Sequence, residues 1–266
     1  MTLVQADLAW EDPEANFDHF EGLLAARDDA RAAEGGPVAD LVVLPEMFAT
    51  GFTMRPARLA PDVGQRAEAW LARQAAARGA WMCASTPYRR PGDGAWANRM
   101  LLVSPRGRAV YYDKRHRFAM AGEREAYAPG SERPVVAEVR GWRVLLQVCY
   151  DLRFPVFSRN VGGDAYDAAV YVANWPTPRR EHWRALLRAR AIENQAYVVG
   201  VNRVGTDGAG LGYSGDSLAV GPDGALDLDL AGANDRVATA RWDASYLRAY
   251  RNKLPFGRDG DSFVLT

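Results

Sequence analysis

Short apolar runs alternate with amphipathic stretches along the chain, and the two patterns predict different elements. Residues 3–6 read as a first strand. Asp12 and Pro13 then supply an N-cap and a proline at the first helical position. Phe17, Phe20 and Leu24 recur at helical spacing, and Gly35-Gly36 ends that helix. A continuous apolar strand at 41–44 is stopped by Pro45. The next helix, 64–79, carries Ala67, Trp70, Leu71, Gln74 and Ala75 on one side. Strands follow at 81–85 and 98–104, the latter turned by Pro105-Arg106-Gly107 into a strand at 109–112. Residues 118–130 have no clear period and read as an ordered loop.

Beyond that loop, strands are predicted at 144–148, 167–173, 196–201, 214–221 and 237–242. Helices are predicted at 180–194 and 244–251, with an extended tail from Leu254 and a turn at Pro222-Asp223-Gly224. No linker, low-complexity tract or exact repeat interrupts the alternation. The expectation is one α/β domain with mixed sheets over residues 1–266.

Composition narrows the partners. The 33 basic and 33 acidic residues cancel, so no global field draws nucleic acid or an anionic membrane. No run approaches the roughly 18 apolar residues of a membrane span. The first residues lack the basic leader and apolar core of a signal peptide. Two cysteines, Cys83 and Cys149, make no disulfide framework, and no Cys/His spacing matches a zinc site. A cytoplasmic protein with no metal and no cofactor is expected. Lysine stands only at 114 and 253, so 31 of the 33 basic residues are arginine. That bias hints that position 114 wants a compact ammonium, for which a planar guanidinium is a poor substitute.

The candidate chemistry collects where strands end. Cys149 follows the run at 144–148, with Tyr150, Asp151 and Arg153 directly after it; Glu46 lies just past 41–44, and Lys114 just past 109–112. A rim of strand ends is where an open α/β sheet usually binds and reacts. Together the three residues supply an acyl-transfer apparatus. Lys114 beside the thiol favours a thiolate, and Glu46 can take its proton, pass it to a leaving amine and then activate water. The Lys114 ammonium and the Tyr150 N–H are natural donors to an oxyanion. Cys83 has no charged or titratable neighbour in sequence and reads as core.

These residues carry a resemblance. L-P-E-M-F at 44–48, Y-D-K-R-H at 112–116 and V-C-Y-D-L-R-F-P at 148–155 resemble, in order and spacing, the three signature regions of the nitrilase, or carbon–nitrogen hydrolase, superfamily. The similarity runs over nearly the whole chain. Y-V-A-N-W-P, R-A-I-E-N-Q-A-Y and N-R-V-G further resemble the branch of ω-amidases that cleave 2-oxoglutaramate and 2-oxosuccinamate. The resemblance implies a four-layer αββα sandwich, usually paired into a homodimer, acting on a small-molecule amide. It assigns Cys149 as nucleophile, Glu46 as general base and acid, and Lys114 as oxyanion stabiliser. A second glutamate in the loop after the lysine is expected, Glu123 rather than Glu125. Arg153 is either a clamp for a substrate carboxylate or a structural partner of Asp151 or another local acid. Phe48, Phe118, Tyr150 and Trp175 wall a small pocket or belong to the core. Asn174 hydrogen-bonds the amide or caps a chain exit.

Competing readings stay within reach of the same residues. An N-carbamoyl amino acid hydrolase, a deaminated glutathione amidase or a nitrilase would use the same reacting atoms. A papain-like hydrolase would pair Cys149 with His116 or His182. A catalytically idle binding protein would keep the fold alone.

Overall fold

A computed structural model of the chain describes residues 1–34, 39–130, 132–161, 165–232, 234–261 and 263–265. Its first half runs β1 (Thr2–Gln5), α1 (Pro13–Glu34), β2 (Leu41–Val43), α2 (Val63–Arg78), β3 (Trp81–Arg89), β4 (Trp96–Val103), β5 (Ala109–Asp113) and the single turn α3 (Glu123–Ala126). The second runs β6 (Val135–Val139), β7 (Trp142–Val148), β8 (Ala168–Ala173), α4 (Arg180–Asn194), β9 (Tyr197–Asn202), β10 (Val204–Thr206), β11 (Gly212–Val220), β12 (Leu226–Ala231), β13 (Arg236–Thr239) and α5 (Ala244–Lys253).

The strands form two mixed sheets. One has the order β13-β1-β2-β3-β4-β5; the other has β10-β11-β9-β8-β7-β6, with β12 on β11. Each is built on three parallel strands, β1-β2-β3 and β7-β8-β9, flanked by antiparallel ones. Parallel strands covered on both faces read as near-continuous apolar runs, which is why 41–44 and, apart from Gln147, 144–148 show no polar alternation. Alternate residues of one run serve different layers. Leu41 and Val43 join Val144, Leu146 and Val148 between the sheets. Val42 and Leu44 instead face Phe20, Leu24, Trp70 and Leu71 of α1 and α2. On the far side Trp183, Leu187 and Ala191 of α4 cover the second sheet. The layers are therefore helix, sheet, sheet, helix, the predicted αββα architecture.

Asp12 caps α1 as expected, its Oδ1 accepting from the Ala15 N–H at 3.1 Å. The predicted stop at Gly35-Gly36 lies outside the described residues. Several boundaries differ. β3 continues past residue 85 to Arg89 because it pairs with β4 over its whole second half; β2, pairing only Leu41–Val43, leaves Pro87 no ladder bond to miss. β6, β10 and β12 were not anticipated. The stretch 118–130 is not all loop: a 3-10 turn (Ala119–Ala121) and α3 punctuate it. Among the described residues no helix is long and apolar enough to cross a membrane.

Candidate active site

The ends of β2, β5, β7 and β8 meet between the two sheets. Past β2, the chain turns sharply at Met47, which holds a left-handed φ of 48°, and Glu46 is left fully buried. Lys114 directly follows β5 and is also buried. Its carbonyl accepts from the Gly130 N–H at 3.1 Å, which folds the loop after Lys114 back onto it. A Cβ at Gly130 would stand 1.8 Å from the Asp113 carbonyl oxygen, so only glycine allows this approach. Cys149 opens a 3-10 turn (Cys149–Arg153) with φ of 45°. For a residue with a Cβ that conformation is strained, and such strain gathers at functional turns.

Five polar side chains interlock behind the thiol. Lys114 Nζ donates to Glu46 Oε1 and to both oxygens of Glu123, each at 2.9 Å. Asn98 Nδ2 bridges the same carboxylates, at 2.8 Å to Glu46 Oε1 and 3.1 Å to Glu123 Oε1. Glu123 Oε2 also accepts the Phe118 N–H at 2.6 Å. Asn174, just past β8, gives its backbone N–H to Glu46 Oε2 (2.8 Å) and its side-chain amide to the Glu46 carbonyl (2.6 Å). Its Oδ1 is buried with no hydrogen-bond partner. Glu125, by contrast, is exposed.

Burial alone would drive the Lys114 ammonium down, but Glu123 and Glu46 together hold it above the ordinary lysine value. Burial and the Glu46 charge raise the Glu123 carboxyl, although Lys114 opposes them. Cys149 corrects an expectation. Burial, then the charge of Glu46 and a hydrogen bond to it, push the thiol well above its usual range, and Lys114 only partly offsets them. The lysine's pull toward the thiolate is outweighed because its charge is shared between two carboxylates.

Cys149 opens into a cavity of about 500 Å³ whose lining includes Phe118, Tyr150, Arg153, Asn174 and Trp175. Phe118 and Tyr150 pack with ring centroids 5.0 Å apart. Arg153 lies over the Trp175 ring at 4.8 Å, and its Nη2 is 3.0 Å from His182 Nδ1. The alternative partner, Asp151, is elsewhere: it is fully buried and bound to Tyr112, His116 and the Val148 N–H. Phe48 is core, packed among Phe17, Phe20 and Trp70. His116 sits on Asp151 and His182 on Arg153, so the two histidines of the papain-like reading are engaged elsewhere.

Sequence reasoning missed Asn98, which sits inside β4 with nothing to mark it. It also missed the outer cavity wall of Trp10, Phe52, Arg179, Asp207 and Tyr213. Those residues come from loops far apart in the chain, and no local pattern announces them.

Comparison with known proteins follows the same outline. The family model described as Carbon-nitrogen hydrolase matches residues 1–252. The chain is 46% identical to Omega-amidase YafV of Escherichia coli, covering 100% of this chain and 98% of that protein. It is 28% identical to the 2-oxoglutaramate amidase of Bacillus subtilis, over 96% of this chain and 95% of that one. Among solved structures it superposes with a TM-score of 0.90 on XC1258 of Xanthomonas campestris, a CN-hydrolase superfamily protein with an arsenic adduct in its active site. That match has 39% identity and covers 100% of this chain and 98% of the other.

Proposed function

The chain belongs to the carbon–nitrogen hydrolase family, and from that premise we propose that it hydrolyses short ω-amides of 2-oxo acids, such as 2-oxoglutaramate and 2-oxosuccinamate, to the acid and ammonia. One observation carries the chemistry: a thiol on a left-handed turn at a cavity wall, its Sγ 4.0 Å from the Asn174 carbonyl and under the charge of a buried carboxylate that shares its ammonium with a second. The substrate class rests on the full-length similarity to an omega-amidase.

Glu46 takes the Cys149 proton as Sγ attacks the amide carbonyl. Burial and the Glu46 charge, which hold the thiol above its usual range, favour proton transfer in step with attack. Lys114 and the Tyr150 N–H donate to the oxyanion. Lys114 already contacts three carboxylate oxygens, so it turns one N–H from a glutamate to the developing charge. Glu46 then returns its proton to the amide nitrogen, the C–N bond breaks, and ammonia leaves a thioester. Water attacks that ester with Glu46 again as base, and the departing sulfur recovers the proton. Glu123 acts by holding Lys114. Asn174 fixes Glu46 and offers its unpartnered Oδ1 to the substrate NH₂. Arg153 meets the far carboxylate, while Phe118, Tyr150 and Trp175 wall the alkyl segment.

Ammonia release is the test. 2-Oxoglutaramate should outrun nitriles, N-carbamoyl amino acids and deaminated glutathione. A panel in which any of those led would overturn the substrate assignment. The same reading makes the enzyme a cytoplasmic homodimer with no nucleic-acid or membrane partner. Light scattering of the purified protein tests the dimer, and a monomeric mass would end that part.

A further inference from the structure

Asp151 takes no part in the steps above, yet its buried carboxylate is saturated with hydrogen bonds. Oδ2 accepts the Tyr112 hydroxyl at 2.7 Å and the Val148 N–H at 2.9 Å. Oδ1 accepts the His116 N–H at 3.0 Å and meets His116 Nδ1 at 2.7 Å. A carboxylate has about four lone-pair sites, and all are filled.

The origin of these donors is informative. Val148 immediately precedes Cys149. Tyr112 and His116 stand two residues before and two after Lys114. The Tyr112 oxygen also accepts the Arg115 N–H at 3.1 Å, so both sides of Lys114 are drawn to one point. The His116 ring lies flat on Phe154, with centroids 3.8 Å apart and planes 9° apart, and meets Phe157 edge-on at 5.0 Å. The chain after Cys149 thus grips the chain after Lys114 twice, once by charge and once by stacking. An ordinary core position has no need of a carboxylate, whose desolvation is costly and is recovered only with good geometry.

We infer that Asp151 is a positioning residue that ties the strand end of Lys114 to the turn of Cys149 and so sets the separation of ammonium and sulfur. The inference rests on the proposed roles of those two residues. A misplacement of about 1 Å can cost roughly 100-fold in rate without weakening substrate binding.

Tyr112→Phe deletes one donor at almost constant volume, and Asp151→Asn keeps the shape while turning one acceptor into a donor. Tyr111→Phe, an exposed neighbour whose hydroxyl binds Glu68, is the control. Asp151→Asn should lower kcat by about 100-fold and Tyr112→Phe by about tenfold, with KM within about twofold and the control unchanged. The decisive arm repeats Tyr112→Phe in a Lys114→Ala background, reading residual acylation with an activated ester. With no ammonium left to place, the second change should cost less than about twofold. An equal loss in both backgrounds means a merely structural role and overturns the inference, as does a Tyr112→Phe enzyme with wild-type kcat. If Asp151→Asn does not fold, the Tyr112 pair decides alone. A Cys149→Ala enzyme that still released ammonia would sink the underlying site and leave a different signature.

Discussion

Cys83 and Cys149 belong to one core cluster, and burial raises both thiols. Cys83 sits mid-strand in β3, paired across to Val43 on one side and Leu102 on the other, and burial alone accounts for its shift. Cys149 leaves its strand in a left-handed turn, feels Glu46 and Lys114 in opposite directions, and borders a cavity. Depth and a raised pKa therefore do not separate the proposed nucleophile from the other thiol. The separation comes from the backbone exit, a proton acceptor within reach and room for a substrate.

The largest effect should come from exchanging the two roles. Cys149→Ala should reduce ammonia release at least about 10,000-fold, since no second thiol stands among the described residues that line the cavity. Cys83→Ala should keep turnover within about twofold. Measuring kcat for both variants breaks the comparison if the losses are reversed.

Next is Lys114, which sets the Cys149 side of the comparison apart electrically. Lys114→Arg should lower kcat by about 100- to 1,000-fold, the usual cost of an oxyanion donor. The ammonium fits between Glu46 and Glu123 at 2.9 Å in a fully buried site, a geometry that a larger planar guanidinium would have to rearrange. Lys114→Met should also unfold more readily, by about 3–5 kcal/mol in denaturant, because two buried carboxylates lose their counter-ion. A Lys114→Arg enzyme within about threefold of wild type would show that charge alone suffices.

What the sequence disclosed follows from which forces are local. Near-continuous apolar runs marked central parallel strands, and Glu46 and Cys149 just past them, like Lys114 just past the edge strand β5, inherited their place from the strand. β12, with its alternating Leu226, Leu228 and Leu230, and β6 were legible in principle and went unread. Asn98 was not legible: its value lies in reaching two carboxylates 52 and 25 residues away, a fact of the sheet and not of β4. Of the readings open for Arg153, the ion pair with Asp151 does not form and the side chain lies instead on Trp175 and His182, because proximity in sequence says little once a 3-10 turn points neighbours in different directions.

Arg153 sharpens the substrate side. A charged hydrogen bond is worth roughly 1.5–3 kcal/mol, or about ten- to 150-fold. Arg153→Ala should lose that much in kcat/KM for 2-oxoglutaramate and little for an uncharged amide of equal length. Equal losses for both would return Arg153 to a bracing role against Trp175 and His182.

The smallest effect returns to Cys83 and concerns stability alone. At neutral pH, Cys83→Ala should cost about 1 kcal/mol, the order of a small cavity in a packed core. Raising the pH should then close that gap. In the unfolded chain the thiol ionises near its ordinary value of about 8.5, whereas the folded thiol is held well above it by burial. The folded state then binds the extra proton, so the stabilising contribution is intact below about pH 8 and is lost as the pH rises past the unfolded value. By pH 10 the loss amounts to about 2 kcal/mol, at 1.36 kcal/mol per unit. Denaturant midpoints of wild type and Cys83→Ala should thus converge from about pH 8 and cross at about pH 9. Parallel curves over that range would mean that Cys83 ionises in place, and that its distinction from Cys149 lies in access to the cavity rather than in the energy of its proton.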